Sequence, residues 1–93
     1  LPLPALGKGE YLEYVKPPAP YDPRVVLWQQ KLKSLGIDIG KDGVDGKFGK
    51  DTQAATKAFQ TLANKQRGAI APITVDGVVG PQTLARAAVV HPA

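Results

Sequence analysis

The chain lacks, or nearly lacks, the residues on which most small active sites depend. It contains no cysteine, which excludes disulfide bonds and thiolate metal sites. Its single histidine, His91, stands in the tail before Pro92, and one imidazole cannot build the usual zinc site. No nucleophile with a base and no pair of acids is placed as in a typical active site. We therefore expect no catalytic residue, no metal and no cofactor.

Long apolar runs and a concentrated charge are also missing. No stretch approaches the roughly 20 apolar residues that a membrane helix needs, and the proline-interrupted start lacks the basic region of a signal peptide. Lys and Arg number 12 against 8 Asp and Glu, a net charge of +4 spread along the chain. Scattered positive charge favours anionic partners in general and selects none. There is no methionine, and we expect a processed product or a piece of a larger protein.

The prolines divide the chain into a segment and a domain. Six of the nine prolines fall in the first 23 residues, where they disfavour continuous secondary structure. We expect residues 1–22 to form a proline-rich linker, residues 23–90 one domain, and residues 91–93 a frayed tail. The alternative for the first segment is an arm that packs on the domain through residues between the prolines: Tyr11, Leu12, Tyr14 and Val15.

Apolar residues at spacings of three and four predict three helices. The first begins after Asp22 with Pro23 as its first residue and ends at Gly36. A glycine-rich loop leads to the second helix, and Pro81 begins the third. The predicted fold is all-α: a small orthogonal three-helix bundle with a proline-rich N-terminal extension. Its expected core comprises Val25, Trp28, Leu32, Leu35, Phe48, Phe59, Leu62, Val79 and Leu84, with Ala87 and Ala88 also turned inward.

An eight-residue pattern occurs twice. Asp45-Gly46-Lys47-Phe48-Gly49-Lys50-Asp51-Thr52 returns further along the chain as Asp76-Gly77-Val78-Val79-Gly80-Pro81-Gln82-Thr83. The aspartate can accept hydrogen bonds from nearby amides, and the next glycine can take positive φ. The apolar residue enters the core, and the threonine falls at the third helical position, where its hydroxyl can bond back to the loop. Each copy therefore predicts a turn that starts a helix.

Three blocks follow one another along residues 23–88: Val25-x-x-Trp28-Gln29-x-x-Leu32-x-x-Leu35-Gly36, then Asp45-Gly46-x-Phe48-Gly49-x-x-Thr52-x-x-Ala55-x-x-x-Phe59-Gln60, then Val75-Asp76-Gly77-Val78-Val79-Gly80-Pro81-x-Thr83-Leu84. Together they resemble the peptidoglycan-binding domain family, a three-helix module appended to cell-wall hydrolases of bacteria and their phages. Three positions depart from the family pattern. Trp28 replaces a leucine, Thr56 replaces a valine, and the stretch from Gln60 to Val75 is longer.

The resemblance implies non-catalytic binding to peptidoglycan, by a monomer that targets a covalently linked catalytic domain to the wall. The parent would be a cell-wall-active enzyme such as an endolysin, amidase or glycosidase, located at the cell wall, in the periplasm or outside the cell. Helix N-termini favour anions, so we expect a stem-peptide carboxylate at residues 46–52 or 77–83, with Lys47 or Lys50 adding charge. The candidate ligand-binding residues are Gln29, Asp45, Gly46, Lys47, Thr52, Gln60, Asp76, Gly77 and Thr83.

Several alternatives stay open at this stage. The two turns could serve only to build the fold, and Trp28, expected in the core, could instead stack on a sugar. A structural or protein-docking module of a phage tail or secretion apparatus would keep the fold without the ligand. A small basic nucleic-acid-binding domain is disfavoured, because the basic residues form no stripe and the connections exceed the turn of a helix-turn-helix. We expect neither nucleic acid nor membrane as a partner.

Overall fold

A computed structural model describes residues 1–93 and contains three α-helices and no β-sheet. Helix α1 spans Pro23–Ser34, α2 spans Lys50–Lys65 and α3 spans Pro81–Ala87. The predicted all-α, three-helix fold is confirmed. None of the three helices combines the length and the apolar character that crossing a bilayer requires.

The ends of α1 follow the local chemistry of the sequence. Asp22 is the N-cap, and its carboxylate accepts a hydrogen bond of 2.9 Å from the backbone N–H of Arg24. Pro23 occupies the first helical position, where a missing N–H costs nothing. The chain leaves the helix at Leu35 and turns at Gly36, whose φ of 78° is the left-handed conformation that glycine adopts without strain. Both predicted ends of α1 are confirmed.

One apolar core joins the helices and the turns. Trp28 and Phe59 lie at its centre, fully buried, with their rings 5.1 Å apart and nearly perpendicular, a favourable aromatic arrangement. The predicted core is buried except for Leu62 and Leu84, which pack partly buried against it. Five further residues lie in the core and were not in the predicted set: Leu12, Ile39, Ala55, Ala63 and Val90.

The C-terminal end differs from its prediction. Ala87 is buried as expected, but Ala88 is exposed because α3 ends at Ala87 and the chain turns there. The carbonyl of Arg86 accepts from the N–H groups of both Val89 and Val90, and Val90 fills the core instead. The tail, expected to fray, is held at His91, whose N–H and C=O both bond to the side chain of Gln66.

Two of the departures from the family pattern form one interaction. The indole N–H of Trp28 donates to the hydroxyl of Thr56 at 3.0 Å inside the core. A buried indole N–H needs an acceptor, which valine at position 56 could not provide. The Thr56 hydroxyl donates onward to the carbonyl of Thr52 at 2.8 Å. Trp28 is therefore a core residue, as expected, and its replacement of leucine is matched by the threonine.

The N-terminal arm, residues 1–22, packs on the bundle, which is the alternative that the sequence disfavoured. Leu12 is buried, and its backbone forms a two-way bridge with Val79 through hydrogen bonds of 2.9 and 2.7 Å. The N–H of Val15 donates to the carbonyl of Phe48 at 2.9 Å. The arm thus touches the apolar residue of each repeated turn. In the middle of the arm, Glu10 pairs with Arg24 at 3.2 Å.

Candidate functional site

The first Asp-Gly turn, residues 45–52, is organised by one buried glutamine. The Oε1 atom of Gln29 accepts from the N–H groups of Asp45 and Gly46 at 3.0 and 2.9 Å. Its Nε2 group donates to the Asp45 carboxylate at 3.0 Å, the Lys47 carbonyl at 3.2 Å and the Thr52 hydroxyl at 2.9 Å. Asp45 also accepts from the N–H of Lys47 at 3.0 Å. All the hydrogen-bonding capacity of the amide is used inside the protein.

The second Asp-Gly turn, residues 76–83, repeats this arrangement around Gln60. The Oε1 atom accepts from the N–H groups of Asp76 and Gly77 at 3.0 and 2.9 Å. Its Nε2 group donates to Asp76 at 2.9 Å, the Val78 carbonyl at 3.0 Å and the Thr83 hydroxyl at 3.2 Å. Gln60 follows Gln29 by the same offset that separates the two turns. The repeat is therefore larger than its eight-residue motif, because it includes a glutamine at one fixed spacing before each aspartate.

The individual roles predicted for the motif residues are confirmed. Gly46 and Gly77 have φ values of 75° and 74°, and Phe48 and Val79 are buried. Each threonine stands at the third helical position and donates back to a loop carbonyl, Thr52 to Lys47 at 3.4 Å and Thr83 to Val78 at 3.3 Å. These contacts account for the pattern as two stable corners that start α2 and α3.

The nine candidate ligand residues fall into two groups. Six are buried and support the turns: Gln29, Gly46, Thr52, Gln60, Gly77 and Thr83. The side chains of Lys47 and Asp76 are exposed and that of Asp45 is partly exposed, so these three can face a ligand. The structure thus gathers the candidates at two separate turns. Most of the candidates at each turn are buried and stabilise the turn itself.

A first groove, of about 380 Å³, opens beside the first turn. Lys47 and Lys50 line it together with the carboxylates of Asp42, Asp45 and Asp51. Gly49 caps α2 without a side-chain hydrogen bond, and the N–H groups of residues 50–52 have no acceptor within the protein. Free amides at a helix start favour anions. The groove therefore offers cations and amides to a carboxylate, and carboxylates to an amine.

A second groove, of about 390 Å³, opens beside the second turn with a different lining. Val78 and Pro81 occupy the positions equivalent to Lys47 and Lys50, and Gln82 replaces Asp51. Asp76 is the one charged residue among those that line this groove. The positive charge that Lys47 and Lys50 were expected to add is therefore present in the first groove and absent from the second.

The arm contributes walls to both grooves, a contribution that the sequence did not reveal. Pro17, Pro18 and Ala19 line the first groove, and Tyr11 lines the second. The contacts that place them join residues far apart in sequence, such as Leu12 with Val79. Only the short apolar piece between the prolines hinted at them. Each groove is therefore formed partly by the arm and partly by one of the two turns.

The charged pair at the start of α1 holds the arm near the first turn. Arg24 donates to the Asp22 carboxylate at 2.9 Å and reaches Glu10 of the arm at 3.2 Å. The side-chain hydrogen bonds from Arg24 lower the pKa of Asp22 below its ordinary value. The N–H of Asp22 donates to the carbonyl of Gly46 at 2.9 Å. The end of the arm is thereby fixed beside the first corner.

Three helices, two glutamine-held corners and two surface grooves together form a small module with two candidate binding surfaces. Comparison with known proteins agrees. Residues 21–66 match the family model described as "Putative peptidoglycan binding domain", which confirms the resemblance found in the sequence. Residues 21–66 are therefore similar to the peptidoglycan-binding domain family. The match ends before the second turn, whose geometry nevertheless repeats that of the first.

A protein of a bacterial secretion system is also similar to part of this chain. Over 63 residues the chain is 40% identical to the type VI secretion system spike protein VgrG3 of Vibrio cholerae serotype O1. This alignment covers 64% of the chain and 6% of the spike protein, so the chain spans a small fraction of that relative's length. No solved structure gives a significant match to the chain.

Proposed function

We propose that this chain binds peptidoglycan without catalysis and holds the protein that contains it at the bacterial wall. The family match over residues 21–66 carries this proposal. The site we assign is the first groove, because Lys47, Lys50 and the open amides at the start of α2 converge there. Its action would be exerted at the cell wall, in the periplasm or outside the cell.

The lining of the first groove favours the stem peptide as the part of peptidoglycan that is bound there. A stem peptide presents carboxylates and, in many forms, a free amine. The carboxylates would meet Lys47, Lys50 and the α2 amides, whereas an amine would meet Asp42 or Asp51. Charge-assisted hydrogen bonds of both kinds are stronger than neutral ones. Asp45, fixed by Gln29, would act mainly by keeping the corner in place.

The benefit of such binding is local concentration. A domain that holds a linked catalytic domain, such as an endolysin, amidase or glycosidase, on an insoluble substrate turns a second encounter into an intramolecular one. No new chemistry is needed in the binding module. The absence of a catalytic set in the sequence fits this division of labour.

Sedimentation with purified sacculi tests the proposal. The wild-type chain should pellet with sacculi, and the pair Lys47→Gln with Lys50→Gln should pellet less, by roughly tenfold in affinity if each lost contact is worth about 0.5–1 kcal/mol. The pair Lys33→Gln with Lys65→Gln removes the same charge from exposed positions outside the groove and should pellet normally. A wild-type chain that stays in the supernatant with sacculi of every chemotype tried would refute the function.

A second candidate is a docking module in a secretion apparatus, which the similarity to the spike protein VgrG3 favours. In that case the same fold would bind another protein of the assembly. Retention on a purified spike complex together with indifference to sacculi would select this candidate. The nucleic-acid alternative loses support, because Arg86, the one basic residue of α3, is buried and donates to the carbonyl of Ala63.

A further inference from the structure

The second groove holds an aromatic ring that the repeated turn does not supply. The ring of Tyr11 lies against Gly80, where a Cβ atom would come within 2.7 and 2.8 Å of ring carbons Cε1 and Cδ1. Its neighbours in the chain are fixed, Leu12 by the two-way bridge to Val79 and Glu10 by Arg24. Tyr11 nevertheless stays 53% exposed. The ring is therefore held in place and open to the groove.

Polar groups without a hydrogen-bond partner in the protein line the same groove as this ring. Asp76 uses its Oδ1 atom for the hydrogen bonds from Gln60 and Val78 and leaves Oδ2 without a partner in the protein. The Thr74 hydroxyl and the Gln82 carboxamide line the same groove, and neither side chain bonds within the protein. Donors and acceptors around an aromatic face are the usual makeup of a small-molecule site.

The charge of the second groove selects against a carboxylate ligand. Asp76 is the one charged group that lines it, and no lysine or arginine does so. A neutral, hydroxyl-rich ligand suffers no repulsion from Asp76, whose free Oδ2 can accept from a hydroxyl. The C–H face of a sugar ring can pack on Tyr11, and an N-acetyl amide can exchange hydrogen bonds with Gln82 and Thr74. A volume of about 390 Å³ is at the low end of ligand sites and suits a short saccharide segment.

We propose that the second groove binds an N-acetylated amino sugar of the glycan strand, with Tyr11 as its platform. This inference rests on the proposed function and extends it, since the first groove would hold the stem peptide and the second the glycan. The two repeats would then contact both polymers of the wall. The arm supplies the aromatic platform that the second turn itself lacks.

Glycan strands freed of stem peptides by an amidase are the probe that separates the two grooves. Binding to the whole chain is measured by isothermal titration, with thermal unfolding to check each variant. Tyr11→Ala should weaken binding about fivefold to tenfold, the range expected for loss of one ring contact. Gln82→Ala, at an exposed position, should weaken it as well without disturbing the arm. The pair Lys47→Gln with Lys50→Gln should leave glycan binding unchanged.

Tyr21→Ala is the matched control. Tyr21 is an exposed arm tyrosine whose ring also lies on a glycine, Gly46, but it lines neither groove, so its loss should not change glycan binding. If the wild-type chain pellets with sacculi yet ignores peptide-free glycan, or binds it equally after Tyr11→Ala and Gln82→Ala, the glycan site is refuted and the proposed function stands. If the wild-type chain does not pellet at all, both are refuted.

Discussion

The two Asp-Gly turns have the same buried hydrogen bonds but different side chains on the surface. Gln29 and Gln60 accept from the two turn amides at the same distances, 3.0 and 2.9 Å. On the surface, Lys47 and Lys50 correspond to Val78 and Pro81. An unpaired buried amide is costly wherever it occurs, so the framework admits little change. Exposed side chains are nearly neutral for stability, so the surfaces of the two turns can differ.

The core shows the same contrast. By the offset that relates the two turns, Trp28 corresponds to Phe59 and Thr56 to Ala87. In the first repeat the buried indole N–H donates to Thr56, whereas phenylalanine has no donor and alanine no acceptor. In the first pair, the buried indole N–H has a buried acceptor. In the second pair, neither side chain has a polar atom that would need a partner. The two repeats therefore have the same backbone arrangement but fill the equivalent core positions with different residues.

The largest expected effect comes from removing a framework glutamine. Gln29→Ala and Gln60→Ala each leave two turn amides without their acceptor, so each should lower the free energy of unfolding by about 3 kcal/mol or more. Urea denaturation measures both. Gln30→Ala, at an exposed position next to Gln29, should stay within about 0.5 kcal/mol of wild type. If one glutamine could be removed at no cost, the two frameworks would not be equivalent.

The arm should be anchored more firmly at the second turn than at the first. Leu12, which bridges to Val79, is buried, whereas Val15, which bonds to Phe48, is 40% exposed. Leu12→Ala should therefore cost about 2–3 kcal/mol through the cavity it leaves, and Val15→Ala no more than about 0.5 kcal/mol. Chemical denaturation of the whole chain gives both values. Equal costs would mean that the arm contacts both turns alike.

The polar pair of the first repeat predicts a coupling that the second repeat lacks. Thr56→Val should cost about 1–3 kcal/mol, because it leaves the indole N–H of Trp28 without an acceptor. The same substitution beside Trp28→Phe should cost less, since phenylalanine has no N–H to satisfy. A double-mutant cycle measured by urea unfolding should therefore give a coupling of about 1 kcal/mol. Additive effects would argue against a contribution from this hydrogen bond.

Local chemistry made much of the fold predictable. The caps of α1, the positive φ of Gly46 and the threonine back-bonds depend on residues a few positions apart, which a sequence displays directly. The role of Gln29 could not be read this way. A polar helix residue gives the same pattern whether it faces solvent or a turn that lies well beyond the end of its helix. The offset shared by the two turns and by Gln29 and Gln60 was the available signal.

The packing of the arm was only the less favoured interpretation of the sequence, for a related reason. Prolines exclude regular secondary structure but do not exclude packing, so residues 1–22 had the composition of a linker. What fixes the arm is the fit of Leu12 beside Val79 and the backbone pairing there, both contacts between distant parts of the chain. The position of Tyr11 in the second groove depends on the same contacts and was not predicted.

The smallest effect concerns how the helices begin, because α1 has a carboxylate cap whereas α2 and α3 begin at glycines with none. Asp22→Ala should cost about 1 kcal/mol at neutral pH, the usual value of such a cap. Because Arg24 lowers the pKa of Asp22, this contribution is complete above the ordinary value of 3.8 and is lost as the pH falls through the lower folded value. Urea unfolding of the two chains at a series of acidic pH values should show their stabilities converging. A gap that persists after Asp22 is protonated would assign the cost to packing rather than to the charged cap.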